Sequence, residues 1–297
     1  FQGILNIDYF AMKNTIILTI DLEDWYHIFD DSDPSSWQKK EQRVVAGTYK
    51  ILDVLDQRNI KATFMVLGWV AKKYPLLLQD ISNQGHDIGT HSYEHNLIYT
   101  QTKDQFKQDL IKSIGTISDS IGKEVDMYRA PGFSIKQGSL WALEVLSEVG
   151  IKYDLSLFPG NHRYGGVDKR LPIEPFIIRT EFGDIREYPV TVDRILSQSI
   201  ARCGGGYFRL LPYFLLKSLL DNSDYQMSYF HPRDFDYHQP RIKMSFMNYF
   251  KSYVGIKNAE SKFNKLISEH KMVSLSHDIK NRNWEGVETL DISQLKG

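Results

Sequence analysis

The sequence predicts an α/β protein built from parallel βαβ units. Two observations favour this class: short runs rich in β-branched residues alternate with stretches whose apolar residues recur at helical spacing, and glycines close several of those stretches. The predicted elements are strand 14–20, helix 44–55, strand 62–67, helix 76–81, strand 86–91, helix 103–121, strand 127–129, helix 139–149 and strand 151–157. Strands and helices that alternate in this way form a parallel sheet with helical crossovers.

The alternation breaks after the fifth of these strands. Residues 176–180 and 185–192 predict a β-hairpin that turns near Gly183. The remaining predicted elements are helix 210–220, strand 227–230, helix 259–270 and strand 272–275. The chain has no internal repeat, low-complexity tract or long linker, which favours one domain over residues 12–297 with an insertion at about residues 159–220.

Composition and charge exclude several classes of protein. The 297 residues carry 36 Lys and Arg against 37 Asp and Glu, a net charge of −1, so the chain lacks the basic surplus that binding to a nucleic-acid backbone needs. Hydrophobic content of 42% and charged content of 25% are typical of a folded globular protein. Because Cys203 is the single cysteine, any metal must be held by histidines and carboxylates.

The sequence has no apolar run long enough to span a bilayer and no secretory signal with a basic start and an apolar middle. These observations predict a cytoplasmic protein, unless the native chain carries a signal that this sequence lacks. Phe1-Gln2-Gly3 matches the tail of a common protease-cleavage tag, and Met12 looks like a natural start. Residues 1–11 are therefore interpreted as a tag remnant or an upstream extension.

Polar side chains follow the predicted strands at their carboxyl ends, which is where active sites lie in parallel α/β barrels. They are Asp21, Glu23 and Asp24 after the first strand, His91 and His95 after the third, Arg129 after the fourth, Asp154 in the fifth and His231 after a later strand. A single Asp at a strand end is usually a turn or cap residue. Eight such residues at successive strand ends favour one shared site.

His91 and His95 form the sharpest pattern in the sequence. On a helical turn, residues four apart lie on one face, so both imidazoles can reach the same ion. Two imidazoles need a carboxylate to complete a ligand set that leaves positions open for water and substrate. If the first strand continues, alternation puts Glu23 on the same face as Asp21. If the chain turns at the strand end, Asp24 points inward instead, so two carboxylates remain as alternative ligands.

Five segments, in chain order, resemble the motifs of the polysaccharide deacetylases, which are carbohydrate esterase family 4 with the nodulation-protein (NodB-type) homology domain. The segments are Thr19-Ile-Asp-Leu-Glu-Asp24, Gly85-His-Asp-Ile-Gly-Thr-His-Ser-Tyr-Glu-His95, Arg129-Ala-Pro-Gly-Phe133, Tyr153-Asp-Leu-Ser156 and Ser228-Tyr-Phe-His231. Residues 205–212 and 230–236 further resemble a bacterial subfamily found with exopolysaccharide-export loci. The commonest first motif has two adjacent Asp residues, whereas Leu22 follows Asp21 here. The resemblance implies a distorted (β/α) barrel with seven or eight strands.

The resemblance also implies one divalent metal ion. Zinc is the expected ion, and the ligand set would also suit iron, cobalt or nickel. The ligands would be His91 and His95 together with Glu23 or Asp24. The ion would act as a Lewis acid on the acetyl group and on the attacking water.

Four residues receive catalytic roles from the resemblance. Asp21 would take a proton from the attacking water, and Arg129 would pair with Asp21 and keep it ionised. His231 would protonate the leaving nitrogen, while Asp154 would hold that imidazole in the needed tautomer and raise its pKa. A backbone N–H near residues 132–133 would stabilise the oxyanion.

Aromatic side chains beside the motifs are candidate walls of a sugar pocket. Trp25, Phe133 and Tyr207 are the candidates, although core packing accounts for most aromatic residues in a barrel. The predicted function is metal-dependent removal of N-acetyl, or O-acetyl, groups from an acetylated polysaccharide or its sugar precursor. Two alternatives remain: a small-molecule amidohydrolase on the same barrel, and a carbohydrate-binding barrel without turnover.

Overall fold

A computed structural model describes residues 15–27, 33–167, 171–195, 198–201, 203–221, 223 and 225–296. Residues 1–11, interpreted from the sequence as a tag remnant or an upstream extension, lie outside these ranges. The strands are β1 (Thr15–Ile17), β2 (Thr19–Leu22), β3 (Thr63–Val66), β4 (Asp87–Thr90), β5 (Met127–Tyr128), β6 (Tyr153–Asp154), β7 (Phe176–Thr180), β8 (Gly183–Glu187), β9 (Val192–Ile195), β10 (Gln198–Ala201), β11 (Lys271–Val273) and β12 (Thr289–Asp291).

Helices alternate with these strands through most of the described chain. The α-helices are α1 (Val44–Asp56), α2 (Gly68–Lys73), α3 (Pro75–Asn83), α4 (Lys103–Ile121), α5 (Trp141–Glu148), α6 (Gly205–Leu210), α7 (Tyr213–Asp221), α8 (Phe246–Tyr253), α9 (Ile256–Glu269), α10 (Leu275–Asn281) and α11 (Ile292–Lys296). Short 3-10 helices cover Pro34–Lys39, Ile98–Thr100, Pro131–Phe133, Gln137–Ser139 and Pro232–Phe235. Among the described residues, no helix combines the length and the apolar character that a bilayer crossing requires.

Eight strands form the central sheet in the order β12-β7-β8-β6-β5-β4-β3-β2. Neighbouring strands run parallel, except that β7 and β8 form the antiparallel hairpin that the sequence predicts. A separate parallel pair joins β1 to β11, and β9 and β10 form a second hairpin. The predicted α/β class with a mostly parallel sheet is therefore confirmed.

The segment predicted as a strand at residues 227–230 extends the sheet beside β1 and β2 without becoming a regular strand. Its residues make isolated parallel bridges to those strands. The backbone N–H of Phe230 donates to the carbonyl oxygen of Thr19 at 3.1 Å, and the N–H of Met227 donates to Oγ1 of Thr191 at 2.8 Å. The segment thus links the first strands to the chain beyond β8.

The boundaries of α4 agree with the sequence prediction because both ends carry strong local signals. Oγ1 of Thr102 accepts from the backbone N–H of Gln105, and the Gln105 side chain accepts from the backbone N–H of Thr102, which satisfies donors at the helix start. Gly122 ends the helix with a φ of +66°, a left-handed conformation that glycine adopts at low cost.

Several element predictions differ from the structure in detail. The helix predicted at residues 210–220 is divided into α6 and α7, because Pro212 lacks an N–H and forces Leu211 into an extended conformation. The hairpin turns at residues 181–182, next to Gly183 as predicted, but its second strand covers residues 183–187 instead of the predicted 185–192. The strand predicted at residues 151–157 is reduced to the two residues of β6, since its later residues enter the loops above the sheet.

The range predicted as an insertion, residues 159–220, contributes β7 and β8 to the central sheet. It also contributes the second hairpin and helices α6 and α7. Part of this range is therefore integral to the sheet and not attached outside it.

One cluster of buried apolar side chains packs among the strands that carry the site residues. Met65 and Met127 lie in this cluster together with Tyr188 and Met227. The neighbouring β4 carries Gly89, where an added Cβ would lie 2.7 Å from Cε of Met65 and 2.8 Å from Cβ of Met127. A glycine is therefore required for this close packing. The candidate catalytic residues lie at the carboxyl ends of the strands, where active sites of such barrels are found.

Candidate active site

Glu23, His91 and His95 bring three ligand atoms together at the carboxyl ends of β2 and β4. These atoms all lie within 4.8 Å of one another. Oε2 of Glu23 is 2.8 Å from Nε2 of His95 and 3.9 Å from Nε2 of His91. Two imidazole nitrogens and one carboxylate oxygen form a donor set that suits zinc and other divalent transition metals.

The carboxylate beside the imidazoles belongs to Glu23, whereas Asp24 points towards the start of α1. Oδ2 of Asp24 accepts from the backbone N–H groups of Arg43 and Val44 at 2.8 and 3.0 Å. Burial raises the pKa of Asp24, and these backbone donors oppose that effect. The alternative in which Asp24 completes the ligand set is therefore wrong in this structure, because its carboxylate satisfies orphan donors at a helix start.

The segment that carries His91 and His95 is a loop and not the helical turn that the spacing predicts. Ser92 and His95 have φ values of +69° and +58°, which no α-helix accommodates. Asp109 on α4 holds the loop, because its carboxylate accepts from the Ser92 hydroxyl and from the backbone N–H of Tyr93. The two imidazoles still meet, with ring centroids 5.2 Å apart.

The surroundings of His91 favour a neutral imidazole with one nitrogen turned to the site. Its Nδ1 lies 2.8 Å from the carbonyl oxygen of Arg129, which requires Nδ1 to carry the proton. Nε2 therefore keeps a lone pair on the side of Glu23. Burial lowers the pKa of His91 to about 4, so the ring is neutral near pH 7, as a metal ligand must be.

Glu23 is buried and ionised. Burial alone would raise the pKa of Glu23, but His95, His231 and His91 hold it well below its usual range. Among the described residues, Oε2 of this carboxylate meets no donor in regular hydrogen-bond geometry, although Nε2 of His95 is 2.8 Å away. A buried anionic oxygen without a well-aligned donor, beside two imidazoles, fits a position for a cation.

Asp21 and Arg129 form a buried ion pair next to this group, as the resemblance implies. Oδ1 of Asp21 is 2.6 Å from Nη1 of Arg129, which also donates to Oγ1 of Thr19 at 2.7 Å. The guanidinium is fully buried, and its Nε donates to the carbonyl oxygen of Leu155 at 3.4 Å. This ion pair fixes one oxygen of Asp21 and leaves the other, Oδ2, towards the site.

His231 lies on the opposite side of the same group. Its Nε2 is 3.7 Å from Oδ2 of Asp21 and 3.6 Å from Oε1 of Glu23. Its Nδ1 is 2.9 Å from Oδ2 of Asp234, which also accepts from the backbone N–H of His231 at 3.0 Å. Burial alone would lower the pKa of His231, but Asp234, Glu23 and Asp21 raise it to about 9.

The prediction that Asp154 holds His231 is wrong, because Asp154 has other partners. Asp154 accepts a hydrogen bond from the hydroxyl of Ser156 and pairs across β6 and β8 with Glu187. Burial raises the pKa of Asp154 to about 6 and that of Glu187 well above its usual range. The two carboxyl groups form a buried structural pair, and Asp234 takes the place beside the imidazole.

The sequence interpretation missed both Asp234 and the residue that supports it, Arg209. Nε of Arg209 is 3.4 Å from Oδ1 of Asp234. Burial alone would raise the pKa of Asp234, but Arg209 and His231 lower it to about 2. Both residues lie in the segments that resemble the exopolysaccharide subfamily, and Asp234 follows His231 by three residues. The resemblance of those segments was the sequence signal that could have identified both residues.

The start of α6 packs against the segment before His231, and the two backbones come close together at Gly204. A Cβ at Gly204 would lie 2.2 Å from the carbonyl oxygen of Tyr229. The glycine-rich run at residues 204–206 therefore serves packing: it lets the helix that carries Arg209 lie against the segment before His231.

The three predicted pocket aromatics differ in exposure. Trp25 is buried, and its Nε1 donates to the carbonyl oxygen of Glu41 at 2.9 Å. Phe133 is also buried and lies 5.0 Å from the ring of Tyr229, and its backbone N–H donates to Ala130 instead of facing the site. Tyr207 is 40% exposed. Contact of these side chains with a sugar stays a prediction.

Comparison with known proteins identifies the class to which this fold and site belong. Residues 20–153 match the family described as "Polysaccharide deacetylase", and residues 155–279 match a "Domain of unknown function (DUF3473)". Residues 20–153 therefore form a polysaccharide deacetylase domain. That domain contains Asp21, Glu23, both site histidines of the loop after β4, and Arg129.

Similar proteins agree with this class. A "Peptidoglycan-N-acetylglucosamine deacetylase" of Bacillus cereus is 38% identical over 98 residues, which are 33% of this chain and 36% of that protein. The "Peptidoglycan-N-acetylmuramic acid deacetylase PdaA" of Bacillus subtilis is 36% identical over 84 residues, which are 28% of this chain and 32% of that protein. The matched regions thus span about a third of these curated relatives.

A solved structure from Mycobacterium smegmatis is similar to the chain over most of its length. It is a Mycobacterium smegmatis protein assigned to the polysaccharide deacetylases, with a TM-score of 0.64 and 16% sequence identity. The match covers 93% of this chain and 92% of that one. The fold is therefore that of these deacetylases, a distorted (β/α) barrel.

Proposed function

We propose that the protein is a divalent-metal-dependent deacetylase that hydrolyses N-acetyl groups of a polysaccharide. One observation carries the proposal: the Asp21–Arg129 pair and the His231–Asp234 pair flank the Glu23, His91 and His95 group from two sides. An acid and a base on either side of a candidate metal position are what hydrolysis of an acetamide requires. The names of the Bacillus relatives support the same reaction.

The candidate ligands are Glu23, His91 and His95, and zinc fits this mixed nitrogen and oxygen set. When bound, the ion would supply Lewis-acid polarisation of the acetyl carbonyl and of the attacking water. Asp21 accepts the proton of that water through Oδ2, since Oδ1 is engaged by Arg129. Arg129 orients the base by holding its carboxylate in one plane.

His231 acts as the acid that protonates the leaving nitrogen. The contact between its Nδ1 and Asp234 keeps one proton on the far side of the ring, so the proton on Nε2 is the one that faces the substrate. Its raised pKa, about 9, keeps Nε2 protonated near neutral pH. An amine leaves readily only when protonated, so this state suits cleavage of an N-acetyl group.

The substrate class is proposed from the site and from the resemblance together. The side chains of His95 and His231 are 11% and 18% exposed, so solvent and a long glycan chain can reach them from the rim. The segments around Arg209 and Asp234 resemble an exopolysaccharide-associated subfamily. We therefore propose an acetylated exopolysaccharide, or its precursor, as the substrate.

Acetate release from a panel of N-acetylated glycans, O-acetylated glycans and small amides tests the function. We expect release from N-acetyl glycans by the metal-loaded protein and loss of both metal and activity in His91→Ala. His277→Ala, which removes an exposed histidine on α10, is the matched control and should change neither quantity. Turnover confined to small amides would favour the amidohydrolase alternative, and metal binding without any release would favour a non-catalytic barrel.

Alanine at Glu23 and alanine at Asp24 should have different effects. Glu23→Ala is expected to lose the bound ion, because it removes the single carboxylate of the ligand set. Asp24→Ala should keep the ion and lower the free energy of unfolding by about 0.5–2 kcal/mol, the usual cost of removing a helix cap. Elemental analysis and denaturant unfolding measure the two quantities. Equal metal content in both variants would contradict the ligand assignment.

A further inference from the structure

Several large apolar side chains on α6, α7 and α8 are exposed to solvent. We define this apolar patch by six side chains: Leu210, Phe214, Leu215, Phe246, Met247 and Phe250. Phe246 is 82% exposed and Phe214 is 70% exposed. Single exposed apolar residues are ordinary on a protein surface, but a concentration of large ones marks a site of interaction.

Buried polar contacts fix these helices side by side. The guanidinium of Arg209 on α6 donates to the carbonyl oxygen of Ser252 at 2.8 Å and to that of Lys251 at 3.2 Å, both at the end of α8. Nζ of Lys262 on α9 donates to the carbonyl oxygen of Leu211 at 2.7 Å, just before α7 begins. The apolar side chains are therefore presented by a packed framework.

The exposed charges beside α8 are basic, whereas the end of α7 carries Asp221 and lies beside Glu269, both of which contact Lys217. The sequence has no Asp or Glu at residues 194–220 or 237–259. Arg241 and Lys243, in the segment before α8, and Lys251 on α8 have exposed charged side chains. Because the chain as a whole is close to neutral, with a net charge of −1, this basic surface is a local feature.

The combination favours an anionic lipid surface over other occupants. Phenylalanine, leucine and methionine flanked by lysine and arginine are typical of segments that lie in the headgroup region of a bilayer. A second copy of the chain, related by a twofold axis, would bring the same basic residues together and so oppose like charges. A glycan needs polar partners around each ring, whereas the aliphatic members of the patch offer none.

The apolar patch adjoins the rim of the candidate active site. On α8, Oδ1 of Asn248 accepts from Nη1 of Arg163 at 3.2 Å. The preceding residue, His162, stacks on Phe158 with ring centroids 4.8 Å apart and lies 6.2 Å from the ring of Phe133. A surface that binds α8 would therefore lie beside the entrance to the site.

We propose that the apolar patch docks the protein on anionic phospholipid membranes, with Phe214 and Phe246 inserted among the headgroups. Arg241, Lys243 and Lys251 contact the lipid phosphates. Docking places the entrance of the catalytic site at the membrane surface. The proposal stands on surface composition and geometry, and it does not depend on the deacetylase activity.

Flotation of the full chain with lipid vesicles tests the proposal. We expect binding to vesicles of phosphatidylcholine mixed with phosphatidylglycerol, weaker binding to phosphatidylcholine alone, and loss of binding as salt is raised. The double variant Phe214→Ser/Phe246→Ser should bind at least about tenfold more weakly, because each phenylalanine loses its apolar transfer energy. Lys243→Gln/Lys251→Gln should weaken binding to the anionic vesicles alone.

Leu76→Ser is the matched control, because Leu76 is 71% exposed on α3, outside the apolar patch. It should bind vesicles as the unaltered chain does, and melting temperatures should show that all variants fold. Absence of vesicle binding by the unaltered chain, or equal losses in Leu76→Ser and the double variant, would overturn the proposal. So would self-association that the double variant abolishes without any vesicle binding, since a second copy would then cover the patch.

Discussion

Asp21→Asn is expected to lower kcat for N-acetyl glycan hydrolysis by about 10²–10⁴-fold while the bound ion is retained. The asparagine keeps the shape of the side chain, and its amide oxygen can still accept from Arg129. The asparagine cannot take up a proton from the attacking water, because an amide is not basic at neutral pH. Acetate release measured beside metal content separates loss of the base from loss of the ion.

The stability of Asp21→Asn must be measured as a control, because the substitution leaves the buried guanidinium of Arg129 without a carboxylate partner. Breaking a buried ion pair on one side costs about 3–5 kcal/mol. Thermal unfolding must therefore show that the variant is folded at the assay temperature. A folded, metal-loaded variant with more than a tenth of the normal kcat would exclude Asp21 as the base.

His231→Ala is expected to lower the rate on an N-acetyl substrate by about 10²–10⁴-fold and to spare an activated aryl acetate. The amine product of the first substrate needs a proton to leave, whereas an aryl oxide departs without one. Asp21→Asn should impair both substrates, because each reaction needs the attacking water. Equal losses on both substrates in His231→Ala would mean that the imidazole has a structural role.

Asp234→Asn tests how His231 is held. Asp234 is a positioning residue, since it contacts Nδ1 of His231 and faces away from the substrate side. Its carboxylate opposes the effect of burial and raises the pKa of His231, so the asparagine should shift the alkaline limb of the kcat/KM profile to lower pH. The acid must be protonated to work, so activity disappears above its pKa. An unchanged alkaline limb would assign that limb to another group.

The chemistry of the site was predictable from sequence where the residues follow regular strands. Asp21 and Arg129 come at the ends of parallel strands, so their meeting at one rim follows from the fold class. The choice between Glu23 and Asp24 was not predictable, because it depends on the turn after β2. That turn is set by where α1 begins, since its free N–H groups attract the Asp24 carboxylate.

Long-range partners were the harder part. Asp154 was assigned to His231 by motif order, but the pairing of β6 with β8 puts Glu187 against it instead. Asp234 contacts His231 instead, because the short 3-10 helix after His231 turns the chain back towards the imidazole. The sequence did not predict this helix. The loop at His91 shows the same limit: a spacing of four residues suggests a helix, whereas left-handed residues bring the imidazoles together by another path.

The contact of Arg209 with Asp234 lies wholly within residues 155–279, the second of the two stretches matched by family models. The candidate site therefore needs residues from both stretches. The proposed base and the candidate ligands lie in residues 20–153. The proposed acid, the carboxylate that contacts it and the arginine beside that carboxylate lie in residues 155–279. Neither stretch therefore holds both the proposed base and the proposed acid. A truncated or exchanged second half would leave the first with a base but no acid. The second half, whose family name records no function, thus supplies half of the proposed catalytic apparatus.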